Sequence, residues 1–310
     1  MTGAAAPSLV VLAAGLARRY GGGCKPLAPI GPRGEAVIDL LASDAVAAGF
    51  GRIVLVLHPE TGPAVRYHVE HVWPDWVGTD FVTQRVPLGT MHAVLAGRSV
   101  VGATAPFAVA NADDVYGEPA MSALSTALGA DTGEHVLIGY RLRATVATPD
   151  PVTRGICDVD HAGHLRALTE RRGVARLDGG ARFATGDGGS PAELDGDVTT
   201  SVNLWGFRPA IWEVFDAAMK DSGLDEDAVV GHGSVDERPP TEVLLPEVVA
   251  RAVSDEVGLP VRVVPTNARL IGVTHAADLP TVSADLARQV ASGLRTPVTF
   301  EPSSGPSNRS

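Results

Sequence analysis

The apolar positions of this chain fall into two alternating textures. Leu9–Ala13 is a short apolar run ending in Gly15, and Arg52–Leu57 reads RIVLVL. Unbroken runs of this length predict strands buried on both faces, as in a parallel sheet. Between them, residues 36–48 carry apolar side chains at helical spacing, and Gly49 follows as a C-terminal stop. The pattern then predicts a strand at Phe81–Gln84, a helix at Thr90–Gly97, a strand at Phe107–Ala110, a helix at Pro119–Leu128 and a strand at His135–Tyr140. Strand–helix alternation implies an α/β fold with a mostly parallel, doubly wound sheet. Ligands of such sheets sit at the carboxyl ends of the strands, where the loops after Ala13 and Ala110 lie.

The second half has another texture. Residues 155–170 carry a hairpin signal around Asp160-His161-Ala162-Gly163, and Gly173–Gly196 is rich in Gly and Asp, which predicts a loop or flexible hairpin. Ser201–Phe207 predicts a strand; Trp212–Met219, Val243–Ala252 and Leu279–Ser292 predict helices. Thr296–Ser310, rich in Ser and Pro, is expected to be a disordered tail. No repeat is visible.

Composition narrows the function. With 310 residues, 45% apolar and 20% charged, the chain is an ordinary globular one, long enough for a sizeable core. A net charge of −11 speaks against a nucleic-acid or anionic-membrane surface, yet leaves room for a small anionic substrate held by a few cations. Cys24 and Cys157 are the only cysteines and supply neither a disulfide framework nor a metal cluster, so a cytoplasmic setting is expected. The run Ser8–Leu16 lacks the preceding positive charge of a signal peptide and is too short to span a membrane.

Two loops carry the candidate chemistry. In Leu12-Ala13-Ala14-Gly15-Leu16-Ala17-Arg18-Arg19-Tyr20-Gly21-Gly22-Gly23-Cys24-Lys25-Pro26-Leu27, small residues allow a phosphate chain close to backbone N–H groups. Arg19 and Lys25 are suited to neutralising a pyrophosphate leaving group. No Gly-Lys-Ser/Thr follows, and Ala17 and Tyr20 break the dinucleotide fingerprint, which removes both of those phosphate motifs. In Asn111-Ala112-Asp113-Asp114, two carboxylates end an apolar strand, a costly placement unless solvent or a metal ion answers their charge. Mg²⁺ takes one or two carboxylates plus phosphate oxygens, which fits Asp113. Gln84 pairs a donor with an acceptor and so matches the edge of uracil or thymine. His161 and His164 lack zinc partners.

These segments resemble the nucleotide-sugar pyrophosphorylases, which are sugar-1-phosphate nucleotidyltransferases. The first loop is similar to their L-A-A-G-x-G-[ST]-R…K-P-L signature, with Ala17 and Arg18 departing from it. Gln84-Arg85-Val86-Pro87-Leu88-Gly89-Thr90-Met91-His92-Ala93 looks like their base-binding segment and Asn111–Gly117 like their metal-binding loop. Leu168-Thr169-Glu170 and Val202–Phe207 look like their sugar-contacting segments. The order matches from about Leu9 to Ala287.

The resemblance implies a Rossmann-like three-layer sandwich of the nucleotide-diphospho-sugar transferase type. Its single domain covers residues 1–295, with the nucleotide part at about 1–130 and the acceptor part at about 131–295. It also implies transfer of a nucleotidyl group from an NTP, UTP or dTTP favoured, to a sugar 1-phosphate with Mg²⁺ as cofactor. Arg19, Lys25 and Asp113 are then catalytic. Leu12, Ala13, Ala14, Gly15, Gln84, Gly89 and Thr90 hold the nucleotide, and Gly155, Glu170 and Asn203 the sugar. The late metal ligand of the family falls in Leu270–His275, where Thr274 stands and no carboxylate does. A catalytically weak regulatory protein, or transfer to another phosphorylated alcohol, are the alternatives.

Overall fold

A computed structural model describes residues 6–15, 24–146, 150–177, 179, 181–224, 242–254, 258–272, 276–298 and 300. Its elements follow the expected alternation. They begin with β1 (Ser8–Ala13), α1 (Val37–Ala47), β2 (Arg52–Leu57), α2 (Gly62–Val72), β3 (Thr79–Thr83), α3 (Thr90–Ala96) and α4 (Arg98–Val101). Then come β4 (Phe107–Asn111), β5 (Asp114–Val115), α5 (Glu118–Gly129), β6 (His135–Arg141), β7 (Val152–Val159) and β8 (Leu165–Leu177). The chain continues through β9 (Arg182–Ala184), β10 (Glu193–Asp195), β11 (Thr199–Ser201), β12 (Trp205–Phe207) and α6 (Ile211–Ser222). It closes with α7 (Leu245–Ser254), β13 (Val261–Pro265), β14 (Ile271–Gly272) and α8 (Leu279–Ala291).

One sheet runs β10-β9-β8-β7-β11-β6-β12-β4-β1-β2-β3, with β13 also pairing β6. Its core strands β3, β2, β1 and β4 are parallel. β12 enters antiparallel beside β4, and the strands from β7 to β11 form an antiparallel arm.

Alternation along each strand divides the core. Leu9, Val11, Ile53 and Leu55 point to one face with Ile38 and Leu41 of α1, Val65 of α2 and Leu124 of α5. Val10, Val54, Phe107 and Val109 point to the other, with Met91 of α3, Trp212 and Phe215 of α6 and Val249 of α7. The result is the expected three-layer sandwich. Each such side chain contributes about 1.5–3 kcal/mol of burial energy, which is why the sheet centre can be so plainly aliphatic.

Four expectations are corrected or narrowed. The third strand begins at Thr79 and stops at Thr83, leaving Gln84 just past its end. Gly173–Gly196 holds the hairpin of the two alternatives and no open loop: β8 runs through to Leu177, and β9 and β10 pair antiparallel at the sheet edge. The strand expected at Ser201–Phe207 is broken into β11 and β12, because Asn203 adopts φ 62°, the left-handed region that Asn tolerates better than most residues. The start of the expected disordered tail is packed. Arg295 forms a buried ion pair with Asp44 at 2.6 Å, the Thr296 amide donates to Glu118, and Phe300 lies 5.7 Å from Trp73. Ser and Pro content fails as a guide there because Arg295 just before the segment, the Thr296 amide and the Phe300 ring do the anchoring. Residues 301–310 lie outside the described residues.

Candidate active site

The parallel strands deliver the first loop and the aspartate loop side by side. β1 pairs β4 in the register Val11↔Ala110 and Leu12↔Asn111, and the Ala112 amide donates to the Leu12 carbonyl at 3.1 Å. Ala13 and Ala14 are buried, whereas Gly15 is exposed, with open space where a Cβ would be. Residues 16–23, with Ala17, Arg18 and Arg19, lie outside the described residues. The chain resumes at Cys24, and Pro26 sets a short 3₁₀ turn, Lys25–Leu27. That turn aims Lys25 across the strand ends. Its Nζ meets Asp113 Oδ2 at 2.5 Å, 88 positions away in sequence. The side chains keep 18% and 37% of their exposure, so both groups remain open to a ligand.

Asp114 sits deeper. Burial and the neighbouring Asp113 charge raise its pKa to about 6, against the opposing pull of Lys25 and a 3.1 Å hydrogen bond from Asn111 Nδ2. Two adjacent carboxylates, one desolvated, create the local demand that a divalent cation answers. Among the described residues, no group of three His, Cys, Asp or Glu converges. The donor chemistry of an aspartate pair fits Mg²⁺, which takes one or two carboxylates together with phosphate oxygens and water. The start of the late segment lies beside the aspartate loop: β14 pairs β5, with Gly272 opposite Asp114. A Cβ on Gly272 would stand 2.8 Å from Asp114 Oδ1. Thr274 lies outside the described residues.

Next to Asp114 opens a cavity of about 500 Å³. It gathers the three residues expected to hold the sugar. Gly155, Glu170 and Asn203 line it together with Asn111 and Asp114. Gly155 stands opposite Glu170 and Ser201 in the antiparallel arm, and a Cβ there would come 2.9 Å from Leu168 Cδ1. Asn203 Oδ1 accepts from the buried Trp205 indole at 3.1 Å, which makes Trp205 a core residue that also orients Asn203.

Sequence reasoning missed two arginines of this cavity, Arg154 and Arg251. Arg154 donates to the carbonyls of Thr153 and Thr145, while its buried Nε has no protein partner. Its place beside Gly155 on a strand was the one available signal. Arg251 reaches the cavity from α7, remote in sequence from every motif.

The base segment departs from expectation. Gln84 is buried, and its amide nitrogen bonds the Gly89 carbonyl and His92 Nδ1, both at 3.0 Å. Its two N–H groups are therefore engaged inside the chain, leaving the carbonyl oxygen to offer to a base. Gly89 has φ 101°, and a Cβ on it would strike the Val243 carbonyl oxygen at 2.3 Å. The Thr90 hydroxyl accepts from the Leu245 amide at 2.8 Å, capping α7. Leu88 and Met91 thus clasp Val243 through two backbone hydrogen bonds.

A doubly wound sheet with a cationic loop and an aspartate pair at the ends of β1 and β4 defines a nucleotidyltransferase. The chain belongs to the family of the MobA-like NTP transferase domain, whose model matches residues 9–182. Among solved structures it is similar to the inositol-1-phosphate CTP transferase from T. maritima, at 17% identity and a TM-score of 0.62, over 92% of this chain and 97% of that one. It is also similar to HddC from Yersinia pseudotuberculosis, at 16% identity and a TM-score of 0.55, over 90% and 99%. These likenesses show the fold. No curated protein sequence matches the chain. Among the described residues no helix is long and apolar enough to cross a membrane.

Proposed function

We propose that the chain transfers a nucleotidyl group from an NTP to a sugar 1-phosphate, giving an NDP-sugar and pyrophosphate. The observation that carries this reading is the contiguity of two sites. Lys25 and Asp113 face the strand-end loop, and Asp114 forms the shared wall with a cavity lined by Gly155, Glu170 and Asn203.

The acceptor's phosphate needs no general base, since a phosphomonoester loses its second proton near pH 6. One of its oxygens forms a bond to the α-phosphorus as the bond from that phosphorus to the bridging oxygen breaks. Pyrophosphate departs with the electron pair. Catalysis then rests on positioning and charge. Asp113 and Asp114 would hold Mg²⁺, which when bound supplies charge neutralisation on the phosphates. Lys25 stabilises the charge developing on the leaving pyrophosphate, with Arg19 the second cation of that loop. Arg154 brings a fixed positive charge to the cavity in which the acceptor phosphate must sit beside two aspartates. Glu170 and Asn203 hydrogen-bond sugar hydroxyls, and Gly155 lets the ring approach the backbone. Leu12, Ala13, Ala14 and Gly15 line the nucleotide, with Gly89 and Thr90 at the base.

For the base, UTP or dTTP fits the N3–H donating to the Gln84 carbonyl. The structural neighbour that acts on inositol 1-phosphate and CTP favours a second reading, in which a cytosine amino group donates to the same oxygen and a phosphorylated alcohol replaces the sugar. Pyrophosphate release measured over a matrix of four NTPs, several sugar 1-phosphates and inositol 1-phosphate separates these. Release with none of them would overturn the proposal. Lys25→Ala sharpens it. A cation acting on the leaving group should lower kcat more than it raises the nucleotide KM, and an unchanged kcat would remove Lys25 from the chemistry.

A further inference from the structure

A second cavity, of about 620 Å³, opens on the other side of the segment that carries Leu270. Arg141 and Arg143 reach it from the end of β6 and the turn after it, Arg176 from β8, and Arg269 from the approach to β14. Among the described residues it shares no lining residue with the acceptor cavity, although the consecutive residues Arg269 and Leu270 line one each. The Leu270 amide donates to the Ala144 carbonyl at 2.9 Å and closes the wall between them.

Four guanidiniums around one cavity stand out in a chain of net charge −11. Gathered like charges repel unless counter-charge answers them. Inside the chain the answer is partial. Asp197 alone takes both Arg141, at 3.1 Å, and Arg143. Arg176 lies over the Phe183 ring and donates to the carbonyls of Val146 and Gly179, which carry no net charge. Arg269 makes no ion pair among the described residues, and no acid is found among the described lining residues. Among the described residues, one carboxylate against four cations leaves an excess of about three positive charges aimed at one space.

We propose that this cavity is a second ligand site and that it takes a small oligophosphate, a molecule with two or more linked phosphate groups. The planar guanidinium fork matches phosphate oxygens two at a time. Several forks around a cavity of ligand size suit a chain of phosphates better than a single one. The Thr266 and Asn267 positions add polar wall.

The test is calorimetric titration of inorganic tripolyphosphate, without divalent metal, into protein carrying Lys25→Ala to weaken the strand-end site. One tripolyphosphate should still bind. Adding Arg143→Gln and Arg269→Gln should weaken it at least ~10-fold, the scale of losing one charge-assisted hydrogen bond. Arg269→Gln alone, which leaves no protein partner unpaired, should weaken it measurably and guards against a misfolded double variant. Orthophosphate should bind more weakly than tripolyphosphate. Unchanged affinity in both arginine variants, no binding to the Lys25→Ala protein, or equal affinity for orthophosphate would each overturn the assignment. None of these readouts uses turnover, so they stand apart from the acceptor proposed above.

Discussion

The two ends of the sheet are held by different forces. At β2-β1-β4 the strands are covered on both faces, and Val10, Val54, Leu55, Ala108 and Val109 are fully buried. Polar chemistry is confined to the strand ends, where Lys25 meets Asp113. In the arm from β7 to β10 much of each strand is open to solvent, and arginines tie the turns. Arg171 alone bonds Asp187, Thr185, Gly189 and Pro191, and it holds the Asp187 carboxyl well below the usual carboxylate range. Packing of aliphatic side chains fixes the parallel end without regard to which ligand comes. Charge-to-carbonyl contacts shape the arm one turn at a time, so its turns can vary while the parallel end stays fixed.

That contrast can be broken from either side. The largest effect is expected at the parallel end from Asp113→Asn. Turnover should fall at least ~10²-fold, the scale of losing one electrostatic stabiliser, with the melting temperature preserved because the amide still accepts from Lys25. Pyrophosphate release at saturating Mg²⁺ with a thermal melt checks both halves.

Arg171→Met attacks the arm. Losing a buried guanidinium with four partner residues should lower Tm by several degrees and raise the acceptor KM through its neighbour Glu170. The nucleotide KM should hold. Equal change in both constants would mean that the two ends are not mechanically separate.

A third measurement uses His135 at the start of β6. Burial lowers its pKa to about 4, with the nearby Arg208 charge adding to the effect. Its Nδ1 accepts the Arg208 amide at 3.1 Å. The unfolded chain, with His near 6.5, binds the proton more readily between these values, so stability falls as pH drops from about 6.5 to 4 and is level above. The loss amounts to about 3 kcal/mol by that linkage. Denaturant unfolding across pH should show this slope, and His135→Asn should flatten it.

The smallest effect is expected from ending the chain after Thr296. The cut removes the Val298 carbonyl that accepts from Arg33 and the Phe300 ring against Trp73, and should cost about 1–2 kcal/mol. An unchanged melting curve would restore the reading of that segment as unstructured.

The parallel end was legible in the sequence because burial on both faces writes an unbroken apolar run. β2 falls at the expected Arg52–Leu57 for that reason. Motif order singled out Gly155, Glu170 and Asn203, and the structure brings them to one cavity beside Asp114. What stayed hidden depends on contacts between distant segments. The engagement of Gln84 by His92, the capping of α7 by Thr90 and the arrival of Arg251 are set by packing, which no local pattern records. The arm reads in sequence as a hairpin at residues 155–170 and as a loop or flexible hairpin at Gly173–Gly196, because its half-exposed strands carry arginines and glycines in place of an apolar run.

The pairing of β14 with β5 also has a temporal meaning. Gly272 meets Asp114 across 158 positions, and Leu270 meets Ala144 across 126. Contacts so far apart in the chain form late, after loop-closure entropy has been overcome. During synthesis the parallel strands and their helices are available to fold while α8 is still unmade. The parallel end can therefore form first as an open platform, and the last third of the chain covers the loop of Asp114 afterwards.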